Sequence, residues 1–210
     1  MIDLTILPIF FTAIFFLVIS PGPDLILIST YSSTRGFKSG VMISIGVFIA
    51  GIIQTLLVAF GLGQLMQSIP LLAYVIKIVG AVYLMWLGLK MLKSWYFNQQ
   101  ELTKQKSVET IGNTSLVSKG LLNNLLNPKA LVFFSLFLPQ FITGTGSISL
   151  QILILGMLLS GFALIMNIVF SLSFSKVGSI VGNKFNMERH IDGLLGLVFL
   201  GLATRLAASK

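Results

Sequence analysis

Apolar positions along the chain come in long unbroken blocks, with no alternation of polar and apolar residues. The blocks run at roughly 4–32, 40–62, 70–92, 119–141, 148–174 and 190–207. A helix needs about 20 apolar residues to cross the hydrocarbon layer, whereas barrel strands alternate in polarity over about 10. The pattern therefore predicts an all-α integral membrane protein with six transmembrane helices. Two blocks are interrupted from within. The first carries Ser20-Pro21-Gly22-Pro23-Asp24, and the fourth carries Asn127-Pro128-Lys129. Proline has no N–H, so a helix through Pro21 and Pro23 leaves the Leu17 and Ile19 carbonyls without donors, and one through Pro128 does the same to Asn124. Gly22 lets the backbone bend, and Asn as N-cap followed by Pro is how a helix starts. The first and fourth helices are thus expected to be broken at membrane depth, which hydrocarbon tolerates only beside a cavity or buried protein.

Composition agrees with the membrane assignment: 55% of the 210 residues are hydrophobic and 10% are charged. The formal charge of +8 could suggest nucleic acid, but the placement of the basic residues argues for topology instead. Arg35, Lys38, Lys90, Lys93, Lys104, Lys106, Lys119, Lys176, Lys184 and Arg189 fall in loops on one side, against Arg205 and Lys210 on the other. The positive-inside rule then puts both termini on the non-cytoplasmic side. Met1-Ile2-Asp3 lacks the basic region of a cleaved signal peptide. With no cysteine and a single His190, the chain offers no thiol chemistry and no histidine metal cluster.

Between Ser94 and Ser118 the chain turns polar, which divides it into a first three-helix repeat (1–93), a cytoplasmic linker (94–118) and a second three-helix repeat (119–210). The breaks correspond between the halves, and so does glycine spacing, with Gly46 and Gly51 matched to Gly156 and Gly161. Gly80 and Gly88 match Gly193 and Gly201 in the same way. Three spans per half is an odd number, so the second copy inserts upside down, as in many secondary transporters whose broken helices meet at the midplane. Asp24 lies about 16 Å along a helix from Arg35, and Lys129 about 15 Å from Lys119, so both charges fall near the midplane. There each must pair or face water, at an insertion cost of about 2.5 to 3.5 kcal/mol.

Several polar residues need weighing. Pro21, Gly22, Pro23, Asn127 and Pro128 shape a substrate site by exposing helix ends, with freed carbonyls suited to an ammonium. Gln54, Asn124 and Asn167 are deep polar groups and join the substrate-binding set; Gln54 suits either an interhelical hydrogen bond or a cavity. Asp24 and Lys129 are assigned both to substrate binding and to proton coupling. The glycines read first as packing positions, Lys77 as a lysine that snorkels to the outer interface, and His190 with Asp192 as a solvated cap.

At these residues the chain resembles the LysE/RhtB family, the lysine-exporter and homoserine/threonine-efflux type of bacterial amino-acid exporters. The resemblance rests on the Ser20 to Asp24 motif, on Gly36-Phe37-Lys38-Ser39-Gly40 with Gly46 and Gly51 after it, and on Lys77-Ile78-Val79-Gly80 through Trp86-Leu87-Gly88. It also rests on Asn127-Pro128-Lys129-Ala130 followed by Phe133-Phe134 and Leu138-Pro139-Gln140-Phe141. It implies a six-span carrier of the bacterial inner membrane that moves amino acids or their derivatives out of the cytoplasm in exchange for protons. Its partners are then the amino acid, protons and lipid, with no cofactor and no nucleic acid, and a homo-oligomer is compatible with it. Asp24 is the only clearly deep acid, which favours a neutral, zwitterionic substrate over a cationic one.

Other classes fit less well. Efflux of a cation or metal would need more hard or soft ligands than one deep carboxylate. An intramembrane enzyme needs a paired aspartate, a Ser-His couple or a metal motif, and a structural membrane protein needs no intramembrane breaks. The chain has no phosphate-binding Gly-x4-Gly-Lys-Ser/Thr loop, so ATP does not drive it directly.

Overall fold

The computed structural model describes residues 4–20, 22–62, 112–142 and 146–177, together with isolated positions from 68 to 96 and from 197 to 204. Pro21, Lys77, His190, Asp192 and most of the linker lie outside the described residues. Among the described residues all regular structure is helical. A 3-10 turn at Leu4–Ile6 leads into α1 (Leu7–Ile19), and α2 runs Pro23–Arg35. Gly36, at φ +83°, ends α2 in a conformation that costs glycine little. α3 (Phe37–Leu57) follows and continues through a π-helical turn at Val58–Leu62. α4 spans Asn113–Leu125, beginning inside the segment read as linker rather than near Lys119. α5 (Pro128–Val132) passes into a π turn at Phe133–Phe137 and a 3-10 turn at Leu138–Phe141, and α6 covers Ile148–Val177.

By length and apolarity, Phe37–Gly61 and Ile148–Lys176 can each cross a membrane. The pairs Leu7–Ile19 with Pro23–Arg35, and Asn113–Leu125 with Lys129–Phe141, bend by 56° and 57°. Counting each pair as one span brings the total to four. Proline sets the local geometry of both bends. The residue before a proline is pushed out of the helical region. Ser20 has ψ 126°, Gly22 has ψ 176° and Asn127 has ψ 110°, and each precedes a proline.

α3 is the central element and packs on α2, α4 and α6. Its approach to α4 is backbone on backbone: a Cβ on Gly46 would run into the Val117 carbonyl, and one on Gly120 into the Ile43 carbonyl. Small residues let helices come this close where no hydrophobic drive operates between them. The crossing with α6 is reciprocal. Ser160 Oγ lies 2.6 Å from where a Cβ on Gly51 would be, and the Thr55 hydroxyl occupies the corresponding place at Gly156. Thr55 Oγ1 donates to the Gly51 carbonyl (2.7 Å) and Ser160 Oγ to the Gly156 carbonyl (2.8 Å), so both helices repeat one glycine-hydroxyl unit. Nothing approaches within 4 Å of the Cβ position of Gly161. The same interval separates Pro23 from Pro128, Asp24 from Lys129, Gly51 from Gly156 and Thr55 from Ser160.

Two apolar clusters flank this crossing. The larger gathers Phe10, Ile14, Phe133, Phe134, Phe137, Leu138, Phe141, Ile152 and Leu155, and its rings meet edge-on, Phe10 to Phe141 at 5.1 Å and Phe137 to Phe141 at 4.9 Å. The smaller holds Ile28, Tyr31, Ile43, Val47 and Leu116.

Candidate functional site

The two bends meet. Asp24 stands in the first turn of α2 and reaches across to the end of α4, where three asparagine amides converge on it. Asn123 Nδ2 donates to Oδ1 at 2.7 Å, and Asn124 Nδ2 and Asn127 Nδ2 donate to Oδ2 at 2.8 and 2.9 Å. Lys129, in the first turn of α5, reaches the other way. Its ammonium donates to the Leu17 and Ser20 carbonyls, both at 2.9 Å, at the C-terminal end of α1. That end carries the negative pole of the helix and carbonyls that lack helical donors, so a cation belongs there.

The second bend is held by side chains. Asn127 Oδ1 accepts from the Lys129 N–H at 3.0 Å and caps α5. Gln54 Nε2 donates to the Asn124 carbonyl at 3.2 Å, and the Asn127 N–H donates to the same oxygen at 3.1 Å. The Asn124 carbonyl, expected to be open to a substrate, is thus occupied from within the protein. Ser20, in place of Ile19, supplies the second carbonyl of the first bend. Two amide oxygens, Gln54 Oε1 and Asn124 Oδ1, are buried with no donor among the described residues.

A cavity of about 80 Å³ opens between the bends and the α3–α6 crossing. At about 10 to 15 Å³ per water, it has room for roughly six water molecules or one small solute. Its polar lining comprises Asp24, Asn124, Asn127, Lys129, Ser160 and Asn167. The remainder is mainly apolar, including Leu25, Val47, Phe133, Phe134, Ala163 and Leu164.

Of the residues expected at the site, Gly22, Asp24, Asn124, Asn127, Lys129 and Asn167 line this cavity. Gln54 does not; it lies buried behind Asn124 and braces its backbone. Pro23 is exposed and acts by ending one helix and starting the next. Pro128 opens α5. Gly22 has φ −166°, an extended conformation open to any residue, so the bend does not use glycine's freedom there. Asn123 was not anticipated. Its signal was present in Asn123, Asn124 and Asn127, which project from neighbouring faces at the end of one helix.

Comparison with known proteins decides the class. The family model of the LysE type translocator matches residues 15–210. The chain belongs to the LysE family. It is accordingly a membrane transporter and not an enzyme. The chain is 33% identical over 201 residues to a leucine efflux protein of Enterobacter sp. (strain 638), covering 92% of this chain and 91% of that one. It is 31% identical over 195 residues to the leucine efflux protein of Klebsiella pneumoniae subsp. pneumoniae, and 30% identical to that of Salmonella choleraesuis (strain SC-B67). In each case 91% of this LysE-family chain and 90% of the relative are covered. No solved structure matches the chain.

Proposed function

We propose that this LysE-family chain is a secondary transporter that exports a neutral aliphatic amino acid, with leucine the first candidate, from the bacterial cytoplasm across the inner membrane in exchange for protons. The observation that carries the reading is the cavity itself, whose lining joins two opposite charges to mainly apolar side chains. An aliphatic amino acid has that same combination, with an ammonium and a carboxylate on one carbon and a hydrocarbon side chain beyond it. The name of the relatives, leucine efflux protein, supports the same substrate. Among the described residues no three His, Cys, Asp or Glu come together.

The architecture in this reading is six spans in two inverted three-helix repeats, joined by the 94–118 linker, with the first and fourth spans broken. Three features support it: the near-equal bends of 56° and 57°, the reciprocal Gly51–Ser160 and Gly156–Thr55 contacts, and the common interval between matched residues. The distribution of lysine and arginine supports both termini outside the cytoplasm.

Asp24 is the coupling carboxylate. As an anion it accepts three amide N–H bonds. A proton on it needs an acceptor, and Asn127 cannot turn to offer one, because its Oδ1 already caps the Lys129 N–H. Asp24 itself lines the cavity, so a proton on the lone pair that the three amides leave open either faces that space or turns Asn123 or Asn124, and both join proton occupancy to the site. One proton moving inward gains about 2.3 kcal/mol per 100 mV, enough for a roughly fiftyfold gradient of substrate.

The test is labelled leucine transport in inverted membrane vesicles. Wild type should accumulate leucine when a proton gradient is imposed and should exchange leucine without one. Asp24→Asn should retain exchange and lose accumulation. Gradient-driven accumulation by Asp24→Asn at wild-type level would remove Asp24 from coupling, and no leucine transport by wild type would remove the substrate.

A further inference from the structure

We propose that Lys129 is a resident stand-in for the substrate's ammonium, and that this internal competition is what selects a zwitterion over a simple amine. The inference rests on the amino-acid export reading above and adds the recognition step. The Leu17 and Ser20 carbonyls form a receptor for a primary ammonium, two acceptors at the negative end of a 13-residue helix. A substrate α-ammonium has the same charge and the same three N–H donors as the Lys129 side chain that now sits on that receptor. Both charged groups of the site line the cavity, as do Leu17 and Ser20, so a ligand that enters meets the lysine on its own binding place.

The two charges differ in their freedom to yield. Asp24 is a short side chain fixed by three amides from α4 and the turn after it. Lys129 is a point charge on a flexible four-carbon stem, which can move several ångströms by rotation alone. Lys129 is therefore the member that gives way. Once displaced it needs an anion: Asp24 is the one carboxylate lining the cavity among the described residues, so an added cation leaves two positive charges for one negative, which is costly in a low-dielectric interior. A substrate carboxylate, attached to the same carbon as the incoming ammonium, arrives at the right moment and place to receive it. An amine without a carboxylate draws the lysine off its carbonyls and brings no anion in exchange. An acid without an ammonium leaves the helix end without its cation. Only a ligand carrying both groups completes the exchange, and Lys129 acts as the specificity-determining residue for the α-amino-acid head.

Calorimetric titration of the purified full-length protein in lipid nanodiscs tests this with two probes, leucine and 3-methylbutylamine, the same side chain without the carboxylate. Wild type should bind leucine at least about tenfold more tightly than the amine. Lys129→Met should weaken leucine about tenfold or more and tighten the amine about tenfold, reversing the preference, because the carbonyl pair is vacated and the carboxylate has lost its partner. Equal weakening of both probes in a folded Lys129→Met protein would overturn the proposal, as would an amine affinity left at the wild-type value. If Lys129→Met fails to fold, Lys129→Gln provides the same comparison with an uncharged N–H toward the carbonyls, and the reversal should be smaller but of the same sign. Wild type that binds no leucine would overturn the substrate reading, while the rise in amine affinity on removing Lys129 would still report on the displaced ammonium.

Discussion

The two bends carry out the same task with different materials. At the first, the groups offered to the opposite charge are main-chain carbonyls, those of Leu17 and Ser20, and the N-cap position Gly22 makes no side-chain bond. At the second, the groups offered are side-chain amides, and side chains also brace the backbone: Asn127 caps α5 and Gln54 holds the Asn124 carbonyl. A bend made of backbone depends on the prolines that deny it helical hydrogen bonds. A bend made of side chains keeps its shape by its own contacts, and it can be dismantled one residue at a time. The exchange of charge across the bends, Asp24 into the amides and Lys129 onto the carbonyls, ties the first part of the chain to α4 and α5 at the cavity.

The largest effect is expected where the side-chain bend loses its amides. Asn124→Leu combined with Asn127→Leu removes two of the three donors from Asp24 and leaves a part-buried carboxylate on the remaining Asn123 bond. Hydrogen bonds to a charged group contribute about 1.5 to 3 kcal/mol each, so the double variant should lose about 3 kcal/mol or more and should not transport. Unfolding in mixed micelles measures the stability. Adding Asp24→Asn to the pair should recover much of it, since the anion is then gone, but should not recover transport. Failure of that third change to restore stability would mean the amides act on something other than Asp24.

A middle-sized effect separates the prolines. Alanine at position 21 restores an N–H in helical register with the Leu17 carbonyl, the oxygen that Lys129 now uses, and no side-chain cap defends that bend. Alanine at position 128 restores an N–H toward the Asn124 carbonyl, which already accepts from Gln54 and the Asn127 N–H. Pro21→Ala should therefore reduce leucine export about tenfold, and Pro128→Ala only about threefold, with similar amounts of either protein in the membrane. Vesicle transport normalised to inserted protein measures the ratio. Equal losses would erase the distinction between the bends.

Much of this was legible from the residues alone, and what was missed has one physical origin. Proline and glycine act locally, so Pro21-Gly22-Pro23 and Asn127-Pro128 announced where the helices would end. Long apolar blocks announced helices wide enough for a bilayer, among them Phe37–Gly61 and Ile148–Lys176. Which side of a helix meets which neighbour depends on azimuth and crossing angle, and no local property encodes those. For that reason Asn123 was overlooked beside Asn124, Gln54 was left between two roles, and the packing of Gly51 on Ser160 and of Gly156 on Thr55 went unread. Asp24 and Lys129 were each expected to pair or face water. Lys129 meets the Leu17 and Ser20 carbonyls, partners that apolar sequence cannot advertise.

The smallest effect is expected at Gly22, and its smallness is informative. A glycine between two prolines suggests a bend that only glycine can make, as Gly36 does make one at φ +83°. Gly22 instead has φ −166° and ψ 176°, the extended conformation favoured before proline and open to any residue. A Cβ added there would lie 3.6 Å from Lys129 Cδ and Nζ and 3.8 Å from the Ser20 carbonyl, ordinary contact distances. Gly22→Ala should thus be at least as stable as wild type, by up to about 1 kcal/mol, because alanine narrows the unfolded ensemble without straining the fold. The new methyl rests against the lysine that the substrate displaces, so leucine affinity should shift by less than about threefold. Gly51→Ala is the contrasting substitution, since its Cβ would stand 2.6 Å from Ser160 Oγ and 3.2 Å from Ser160 Cβ at the tightly packed α3–α6 crossing. Thermal unfolding of the two variants side by side, with leucine titrated into each, checks both statements. A Gly22→Ala protein that unfolds as readily as Gly51→Ala would show that the backbone bend draws on glycine after all, and would return the first bend to conformational freedom rather than proline chemistry.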